Sequence, residues 1–130
     1  MSAADTVLRF LERINGHDAD RIAELMTADH VFIDSLGNVV SGRENMRSGW
    51  RSYYAFCPDY RVAHEEIFSE RNRVAVFGTA GGTIAGTRWQ TPAAWLAVVE
   101  DGLVKEWRVY ADNKPVYDIL AKSDGSRPRP

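Results

Sequence analysis

The sequence predicts an α+β fold in which N-terminal helices pack on the concave face of a conical, curved antiparallel sheet. Apolar residues recur at helical spacing through most of residues 3–56, whereas β-branched and aromatic residues and strong turn signals fill residues 60–111. Helices followed by a run of strands are typical of the α+β class. The chain of 130 residues fits one domain, which we assign to residues 1–122.

The first two predicted elements are helices. Residues 3–15 are predicted to be helical, with a capping box at residues 2–5 and a stop signal at Gly16. The apolar residues that carry this spacing are Val7, Leu8, Leu11 and Ile14. A second helix is predicted from Asp18, which suits an N-cap, to about Thr27.

A strand, a turn and a third helix follow. Residues 30–34 are predicted to form a strand that ends on Asp34, residues 35–38 a turn, and Val39 and Val40 a short return strand. Residues 41–44 form a second capping-box pattern, which predicts a helix that continues to about Phe56. The proline after Cys57 ends that helix.

The remaining half predicts a meander of long antiparallel strands and a closing helix. Reversals are predicted near residues 70–73, around Gly81-Gly82 and Gly86, and at residues 100–102, where Asp-Gly is a strong hairpin signal. The predicted strands are residues 60–68, 74–79, 88–99 and 103–111. Pro92 implies a bulge or an edge position. Asp112 begins a short helix to about Lys122, and residues 123–130 are expected to be a disordered tail.

The composition argues against several classes of function. The chain is 45% hydrophobic and 26% charged, with a net charge of -2 and no basic run, so we expect neither a nucleic acid nor a membrane as partner. A single cysteine, Cys57, excludes an intramolecular disulfide and fits a cytoplasmic location. We expect no signal peptide and no transmembrane segment. No two histidines have metal-ligand spacing, so we expect no metal site and no cofactor.

Asp34 is the most informative single residue. A carboxylate at the end of an apolar strand is costly to bury unless something pairs with it, and such a group is a candidate general base. The alternative is that Asp34 stabilises the following turn through Ser35, Gly37 or Asn38. The residues alone favour the turn role, and both interpretations stay open.

The order of elements and four local motifs resemble the nuclear-transport-factor-2-like superfamily. That group includes ketosteroid isomerases, SnoaL-type polyketide cyclases and limonene epoxide hydrolases. The resemblance covers about residues 5–120, and its motifs lie at residues 10–18, 32–37, 41–44 and 101–112. It implies the conical fold, but one fold hosts many functions.

The resemblance implies a mixed set of site residues. Asp34 falls where ketosteroid isomerases keep the carboxylate that moves a proton between carbons. Phe10 and Trp50 fall at tyrosine positions of that family, and Trp95 or Ala94 falls at the protonated aspartate of its oxyanion hole. The base is therefore retained while the acidic donors are absent, a loss that typically costs about 10²–10³ in rate. Efficient steroid isomerisation is not expected.

Two other members of the superfamily are matched only in part. The epoxide hydrolases have an acidic residue where this chain has Val109. The SnoaL-type cyclases place their base close to Ala111 or Asp112, so Asp112 keeps a carboxylate nearby, one position out of register. The competing role for Asp112 is capping of the last helix, which we favour.

The remaining candidates would complete a cavity. His64 is a candidate second acid/base or substrate hydrogen-bond donor, and a partly buried structural histidine is the competing interpretation. The candidate substrate-binding residues are Phe10, Phe32, Trp50, Tyr54, Trp95 and Trp107. For each tryptophan, the core or a dimer interface is an equally good role.

Three functions remain open. The first is a cofactor-free isomerase or cyclase in which Asp34 abstracts a proton from a hydrophobic carbonyl compound. The second is a non-catalytic module that binds a hydrophobic small molecule or another protein, and the third is an epoxide hydrolase, which needs a second carboxylate beside Asp34. We also expect a homodimer that buries an apolar outer sheet face formed by Leu96, Val98, Trp95 and Trp107.

Overall fold

A computed structural model of the chain describes residues 2–124, with side chains described to residue 122. It confirms the α+β class. The elements in chain order are α1 (Ala3–Asn15), α2 (Ala19–Ala23), β1 (Met26–Ile33), β2 (Val39–Ser41), α3 (Arg43–Phe56), β3 (Arg61–Glu70), β4 (Arg73–Ile84), β5 (Thr87–Glu100), β6 (Leu103–Ala111) and α4 (Lys114–Asp124).

The six strands form one curved, open sheet in the order β2-β1-β6-β5-β4-β3. Neighbouring strands are antiparallel except β1 and β6, which run parallel. The register shifts in three of the strand pairs, between β1 and β6, β3 and β4, and β5 and β6. Such irregularities bend a strand and increase its twist, which favours a curved sheet over a flat one.

The inner face of the sheet is clearest along β5, where buried and less buried residues alternate from Trp89 to Val99. Helix α1 packs across β3 to β6, and α3 packs against β1 and β2. Trp95 and Trp107 both belong to the buried core, so the prediction that they contribute to the outer sheet face is wrong. The less buried positions that alternate with them on β5 are Leu96 and Val98.

Helix α1 confirms the prediction from sequence at both ends. It spans Ala3–Asn15, and its capping box is formed because the Ser2 side chain accepts from the Asp5 N–H while the Asp5 carboxylate accepts from the Ser2 N–H. Its predicted apolar stripe is buried except for Leu8, which is partly buried. Local sequence is sufficient here because caps and helical spacing involve residues only a few positions apart.

Helix α2 is shorter than predicted. Asp18 is its N-cap, but it ends at Ala23, and Met26 and Thr27 begin β1 instead of ending a helix. The cause is pairing with β6: Met26 lies opposite Val104, whose N–H donates to the Leu25 carbonyl oxygen at 2.7 Å. This partner lies far along the chain, so the helical spacing alone could not reveal it.

The predicted capping box at the start of α3 is wrong. Ser41 is the last residue of β2, and the N-cap is Gly42, which makes no side-chain cap hydrogen bond. Gly42 has φ +96°, a conformation that favours glycine, because the chain turns sharply there from strand to helix. The Ser41 carbonyl instead accepts from the Asn45 side-chain amide at 2.8 Å.

Strand β4 is longer than predicted because Gly81 and Gly82 lie inside it and the reversal falls at Ala85 and Gly86. A methyl group at Gly82 would overlap the Cys57 sulfur. Glycine is therefore needed there for close packing against the segment after α3, and not for a turn.

The C-terminal hairpin is as predicted. Asp101 and Gly102, with φ of 52° and 77°, join β5 to β6, as expected for a two-residue Asp-Gly turn. Helix α4 continues two residues past the predicted end, to Asp124, and the rest of the predicted disordered tail lies outside the described residues. Within the described part of the chain, no helix is long and apolar enough to cross a membrane.

Candidate functional site

A cavity of about 340 Å³ lies between α3 and the inner face of the sheet. This volume is within the range of small-molecule sites. Helix α1 contributes one residue to its wall, α3 contributes four, and the rest come from strands and the loops next to them. The lining residues are Ile14, Phe32, Asp34, Ser35, Val40, Met46, Gly49, Trp50, Tyr53, Tyr60, Ala80, Trp89, Thr91, Ala93, Trp95, Trp107, Val109, Ala111 and Asn113.

Seven of the nineteen lining residues are aromatic. Four of the predicted substrate-binding residues contribute to the lining, namely Phe32, Trp50, Trp95 and Trp107. The rings of Trp95 and Trp107 stack with their centroids 6.3 Å apart. Such a wall favours a hydrophobic and planar ligand, because aromatic rings bury a large apolar area and prefer stacked or edge contacts.

Asp34 lies immediately after β1 and is partly buried at the edge of this cavity. Its Oδ1 accepts from the Leu36 and Asn38 backbone N–H groups, both at 2.9 Å, and its Oδ2 accepts from the Asn38 side-chain amide at 3.0 Å. Asp34 therefore stabilises the turn. A carboxylate has about four acceptor positions, so one on Oδ2 stays free for another partner.

Ser35, which follows Asp34 in the chain, and Asn113 also line the cavity. The Asn113 side-chain amide donates to the Ser35 hydroxyl oxygen at 2.6 Å, which joins the β1–β2 turn to the loop before α4. Both residues also line a shallow depression on the outside of the protein. Sequence analysis did not single out Asn113, because its contact with Ser35 joins residues 78 positions apart.

Three predicted site residues are not part of the cavity wall. Phe10 is fully buried in the core, 4.9 Å from Trp107 between ring centroids. Tyr54 donates its hydroxyl hydrogen to the Ile14 carbonyl oxygen at 2.6 Å, which ties α3 to α1. His64 is exposed on β3, beside the register shift that separates it from Glu66 in the pairing with β4.

The register of the last strand is also clear. Val109 and Ala111 line the cavity, whereas Asp112 does not. The Asp112 carboxylate accepts from the Lys114 N–H at 2.9 Å just before α4. The N-cap position is held by Asn113, whose carbonyl accepts from the Tyr117 N–H, so the predicted N-cap is one position too early. Trp95 lines the cavity and Ala94 does not, so the inward position of that pair is Trp95.

Two tyrosines that sequence analysis passed over line the cavity, Tyr53 and Tyr60. Neither hydroxyl makes a hydrogen bond to another described residue, and burial raises the pKa of both phenols, so both remain neutral. Helical spacing favoured Tyr53, because it follows Met46 and Trp50 by seven and three positions on the same face of α3. Tyr60 precedes β3, and local sequence gave no signal for its orientation.

Indole donors add to the unpaired polar groups near this wall. The Trp50 N–H is buried without a hydrogen-bond partner in the described region. The Trp89 N–H makes no hydrogen bond of ordinary geometry and interacts weakly with the Cys57 thiol, whose pKa burial raises. An unpaired buried donor typically costs about 1–3 kcal/mol. Both indole nitrogens are closed off from the cavity, so a ligand there would not reach them.

The lining of the cavity carries one charged side chain among the described residues, the Asp34 carboxylate. No lysine, arginine or histidine lines the cavity within this described part of the chain. The second carboxylate that epoxide hydrolysis requires is thus missing from the lining. No group of three potential metal-ligating side chains is close enough to hold an ion within residues 2–122.

Comparison with known proteins identifies relatives of this fold. The family model for the SnoaL-like domain matches residues 7–107. A hypothetical protein with a ketosteroid isomerase-like fold from Catenulispora acidiphila, solved with trimethylamine, has a TM-score of 0.80 at 20% identity, with 87% of this chain and 89% of that chain covered. No curated protein matches the sequence.

Two further solved structures have the same fold. A protein assigned to the SnoaL-like polyketide cyclases from Jannaschia sp. CCS1 has a TM-score of 0.77 at 22% identity, covering 92% of this chain and 89% of that chain. An NTF2-like protein of unknown function from Cytophaga hutchinsonii has a TM-score of 0.72 at 18% identity, covering 90% and 96%. At these identities the similarity shows the fold alone.

Proposed function

This chain belongs to the SnoaL-like domain family, and from that premise we propose that it is a cofactor-free isomerase or cyclase acting on a hydrophobic carbonyl compound. The general base in this proposal is Asp34. The observation that carries it is that Asp34 is the one carboxylate among the described lining residues of a cavity lined mainly by aromatic and aliphatic side chains.

The proposed step is proton transfer from carbon to the free acceptor position of Asp34 Oδ2. The C–H bond breaks, its electron pair enters the adjacent carbonyl system, and an enolate forms while Asp34 becomes the carboxylic acid. In an isomerase, Asp34 returns the proton to another carbon. In a cyclase, the enolate carbon bonds to a second carbonyl carbon of the same substrate, and the resulting alkoxide takes the proton.

The residues around Asp34 favour an acidic carbon acid over a steroid. Phe10 is in the core and Trp95 faces the cavity, so neither reproduces the acidic oxyanion donors that steroid isomerases use. A polycarbonyl compound delocalises its own enolate over several oxygens and depends less on such donors. This is the substrate class that SnoaL-type cyclases share, and it supports a polyketide-like substrate here.

The experiment measures exchange of acidic C–H protons with deuterated water for a panel of β-diketones and polyphenolic ketones, followed by proton NMR. Asp34→Asn should lower the exchange rate by about 10²-fold or more, which is typical for the loss of a general base. Asp112→Asn is the matched control, because it removes a carboxylate just outside the cavity. Unchanged exchange in Asp34→Asn would remove Asp34 from the proposed chemistry.

A non-catalytic binding module is the second candidate, and the hydrogen bonds of Asp34 are what favour it. Three donors already bind the Asp34 carboxylate, as expected of a residue whose role is to stabilise a turn. In that case the wild type should bind members of the ketone panel without any exchange. Trimethylamine belongs in the same panel, since it is bound in a structural relative.

We also propose that the protein forms a homodimer through the outer sheet face. Phe68 and Phe77 are 59% and 45% exposed, and their rings contact each other with centroids 6.0 Å apart. Leu96 adds to this apolar surface on β5, where it lies opposite Ala75 of the strand that carries Phe77. Val98 follows at the border, opposite Arg73. Exposed contiguous apolar surface is typical of an interaction site. Analytical ultracentrifugation should find a dimer at micromolar concentration, and a monomer there would contradict the proposal.

A further inference from the structure

We infer that the hydroxyl groups of Tyr53 and Tyr60 form a binding subsite for a neutral acceptor oxygen, of the aryl ketone type, on the ligand. This inference names the substrate class for the proposed function and rests on it only in taking the same cavity as the ligand site. The two residues would set the orientation of the ligand within the cavity, and Asp34 would remain the group that moves the proton.

The first observation is that both phenol groups lack a partner. Tyr53 is partly buried and Tyr60 is 9% exposed, and both line the cavity. Buried tyrosine hydroxyls usually find a hydrogen-bond partner. The neighbouring Tyr54 follows that rule by donating to the Ile14 carbonyl oxygen at 2.6 Å. The same residue type one position away thus has the partner that Tyr53 lacks.

The second observation is that the two phenol rings are held in place by their aromatic neighbours. Tyr53 and Tyr60 contact edge to face, with centroids 4.9 Å apart and planes at 88°. Trp89 stacks on Tyr60 at 6.2 Å, and Trp50 contacts both tyrosines at 6.4 and 6.3 Å. A rigid pair of donors selects a ligand by geometry, because little side-chain freedom is lost when the hydrogen bonds form.

The third observation concerns charge. The phenols stay neutral because burial raises the pKa of both. The described lining includes no lysine, arginine or histidine, and it includes the carboxylate Asp34. An anionic ligand would lose its hydration in the cavity without gaining a positive partner. The donors therefore fit a neutral ketone oxygen better than a carboxylate.

The test uses three naphthalene compounds that differ in one substituent: 2-acetylnaphthalene, 2-ethylnaphthalene and 2-naphthoate. Isothermal titration calorimetry with the full-length wild type should find the ketone bound roughly three- to tenfold more tightly than the ethyl compound for each hydrogen bond it accepts. The carboxylate should bind at least about tenfold more weakly than the ketone. Equal affinity for the ketone and the ethyl compound would overturn the inference, as would absence of measurable binding by the ketone.

Variants assign the preference to the two hydroxyls. Tyr53→Phe and Tyr60→Phe should each reduce the ketone preference by roughly three- to tenfold while leaving the ethyl compound unaffected. Tyr54→Phe is the matched control, since Tyr54 does not line the cavity and its hydroxyl already donates to the Ile14 carbonyl oxygen. A ketone preference that survives in both Tyr53→Phe and Tyr60→Phe would overturn the inference, and the ligand series on the wild type tests it without any variant.

Failure of this inference is distinguishable from failure of the proposed function. Asp34→Asn should lose proton exchange and keep the preference for the ketone over the ethyl compound. If exchange is absent in the wild type but the tyrosine-dependent ketone preference is present, the catalytic proposal fails and the subsite stands. If exchange depends on Asp34 but the ketone preference is absent, the subsite fails alone.

Discussion

The Asp34 carboxylate accepts two hydrogen bonds from Asn38, one from its backbone N–H at 2.9 Å and one from its side-chain amide at 3.0 Å. The same carboxylate lines the cavity. Two roles thus meet in one residue, turn stabilisation and the proposed proton transfer. They are separable because the Asn38 amide contributes only to the first.

A residue swap at positions 34 and 38 separates those roles. Asn38→Asp alone places two carboxylates in contact and should destabilise the fold by about 1 kcal/mol, measured by urea unfolding. Combining it with Asp34→Asn restores one donor and one acceptor, so the free energy of unfolding should return close to that of the wild type. Proton exchange should stay absent in the double variant, because position 34 then has no carboxylate.

The double variant tests whether stability and proton exchange depend on the same feature of position 34. Recovery of stability without recovery of exchange supports a catalytic role for Asp34 beyond the turn. Recovery of both would show that any carboxylate at this turn is sufficient. A double variant as unstable as Asn38→Asp would contradict the hydrogen-bond pairing on which the design depends.

Local sequence predicted those elements whose causes are local. The Ser2 capping box and the Asp101-Gly102 hairpin depend on residues a few positions apart, and both agree with the structure. The predicted end of α2 does not agree with the structure, because Met26 pairs with Val104 and therefore belongs to β1. Gly82 likewise lies within a strand because of its close contact with Cys57, which no turn rule describes.

The cavity was predictable in part. Trp50, Trp95 and Trp107 were predicted substrate-binding residues and line the cavity, but Trp95 and Trp107 were also assigned to the outer sheet face, which is wrong. Helical spacing with Met46 and Trp50 favours Tyr53 over Tyr54, although Tyr54 was the predicted site residue. Tyr60 lies outside any periodic element, so its position is set by tertiary packing and local sequence does not predict it.

The buried His30 predicts a loss of stability in mild acid. Its Nδ1–H donates to the Val104 carbonyl oxygen at 2.7 Å, and its Nε2 has no partner among the described residues. Burial lowers the pKa of this imidazole, and the hydrogen bond to Val104 and the nearby Asp29 and Glu106 carboxylates oppose that effect only in part. Histidine has an ordinary pKa of 6.5, so below that pH His30 binds a proton in the unfolded chain but not in the folded protein.

Stability should accordingly fall as the pH drops below about 6.5, by up to about 1.4 kcal/mol per pH unit. Urea unfolding between pH 7.5 and 5.5 measures the slope. His30→Gln should flatten it, although the variant is less stable at neutral pH. Val76→Ala is the control, because it weakens the same buried core without removing an imidazole. An equally steep slope in His30→Gln would assign the acid sensitivity to other groups.

The raised pKa values of three tyrosines predict that the protein also loses stability in alkali. Burial raises the pKa of Tyr53, Tyr54 and Tyr60 above the ordinary value of 10.0. Above that pH the unfolded chain releases phenolic protons that the folded protein keeps, so stability should fall as pH rises past about 10. Phenolate absorbance for these three groups should appear together with loss of the far-ultraviolet circular dichroism signal. Their ionisation in a still folded protein would contradict the burial.

The proposed dimer predicts that one charge on the outer sheet face separates the protomers. Phe77→Lys should yield a monomer in analytical ultracentrifugation, because a lysine ammonium group is costly to bury in an apolar interface. Leu36→Lys is the control, since Leu36 is 52% exposed but lies in the β1–β2 turn, away from that face. Leu36→Lys should sediment as a dimer like the wild type, and Phe77→Lys should keep the wild-type far-ultraviolet circular dichroism spectrum. A dimer that persists in Phe77→Lys would place the interface elsewhere.

Any side chain at Gly78 of β4 should clash with the edge strand β3. A methyl group at Gly78 would overlap the Ala63 carbonyl oxygen, beside the register shift between β3 and β4. Because the obstacle is backbone and not a flexible side chain, Gly78→Ala should destabilise the fold by about 3 kcal/mol in urea unfolding.

Gly49→Ala is the contrasting change, since its methyl group would meet only the flexible Met46 side chain, and alanine is favoured in a helix by about 1 kcal/mol. Displacement of β3 in Gly78→Ala should also move Tyr60, which directly precedes that strand, so the preference for 2-acetylnaphthalene should fall as well. Gly78→Ala with wild-type stability would show that β3 can shift freely, and would contradict the close packing of β3 and β4 at this point.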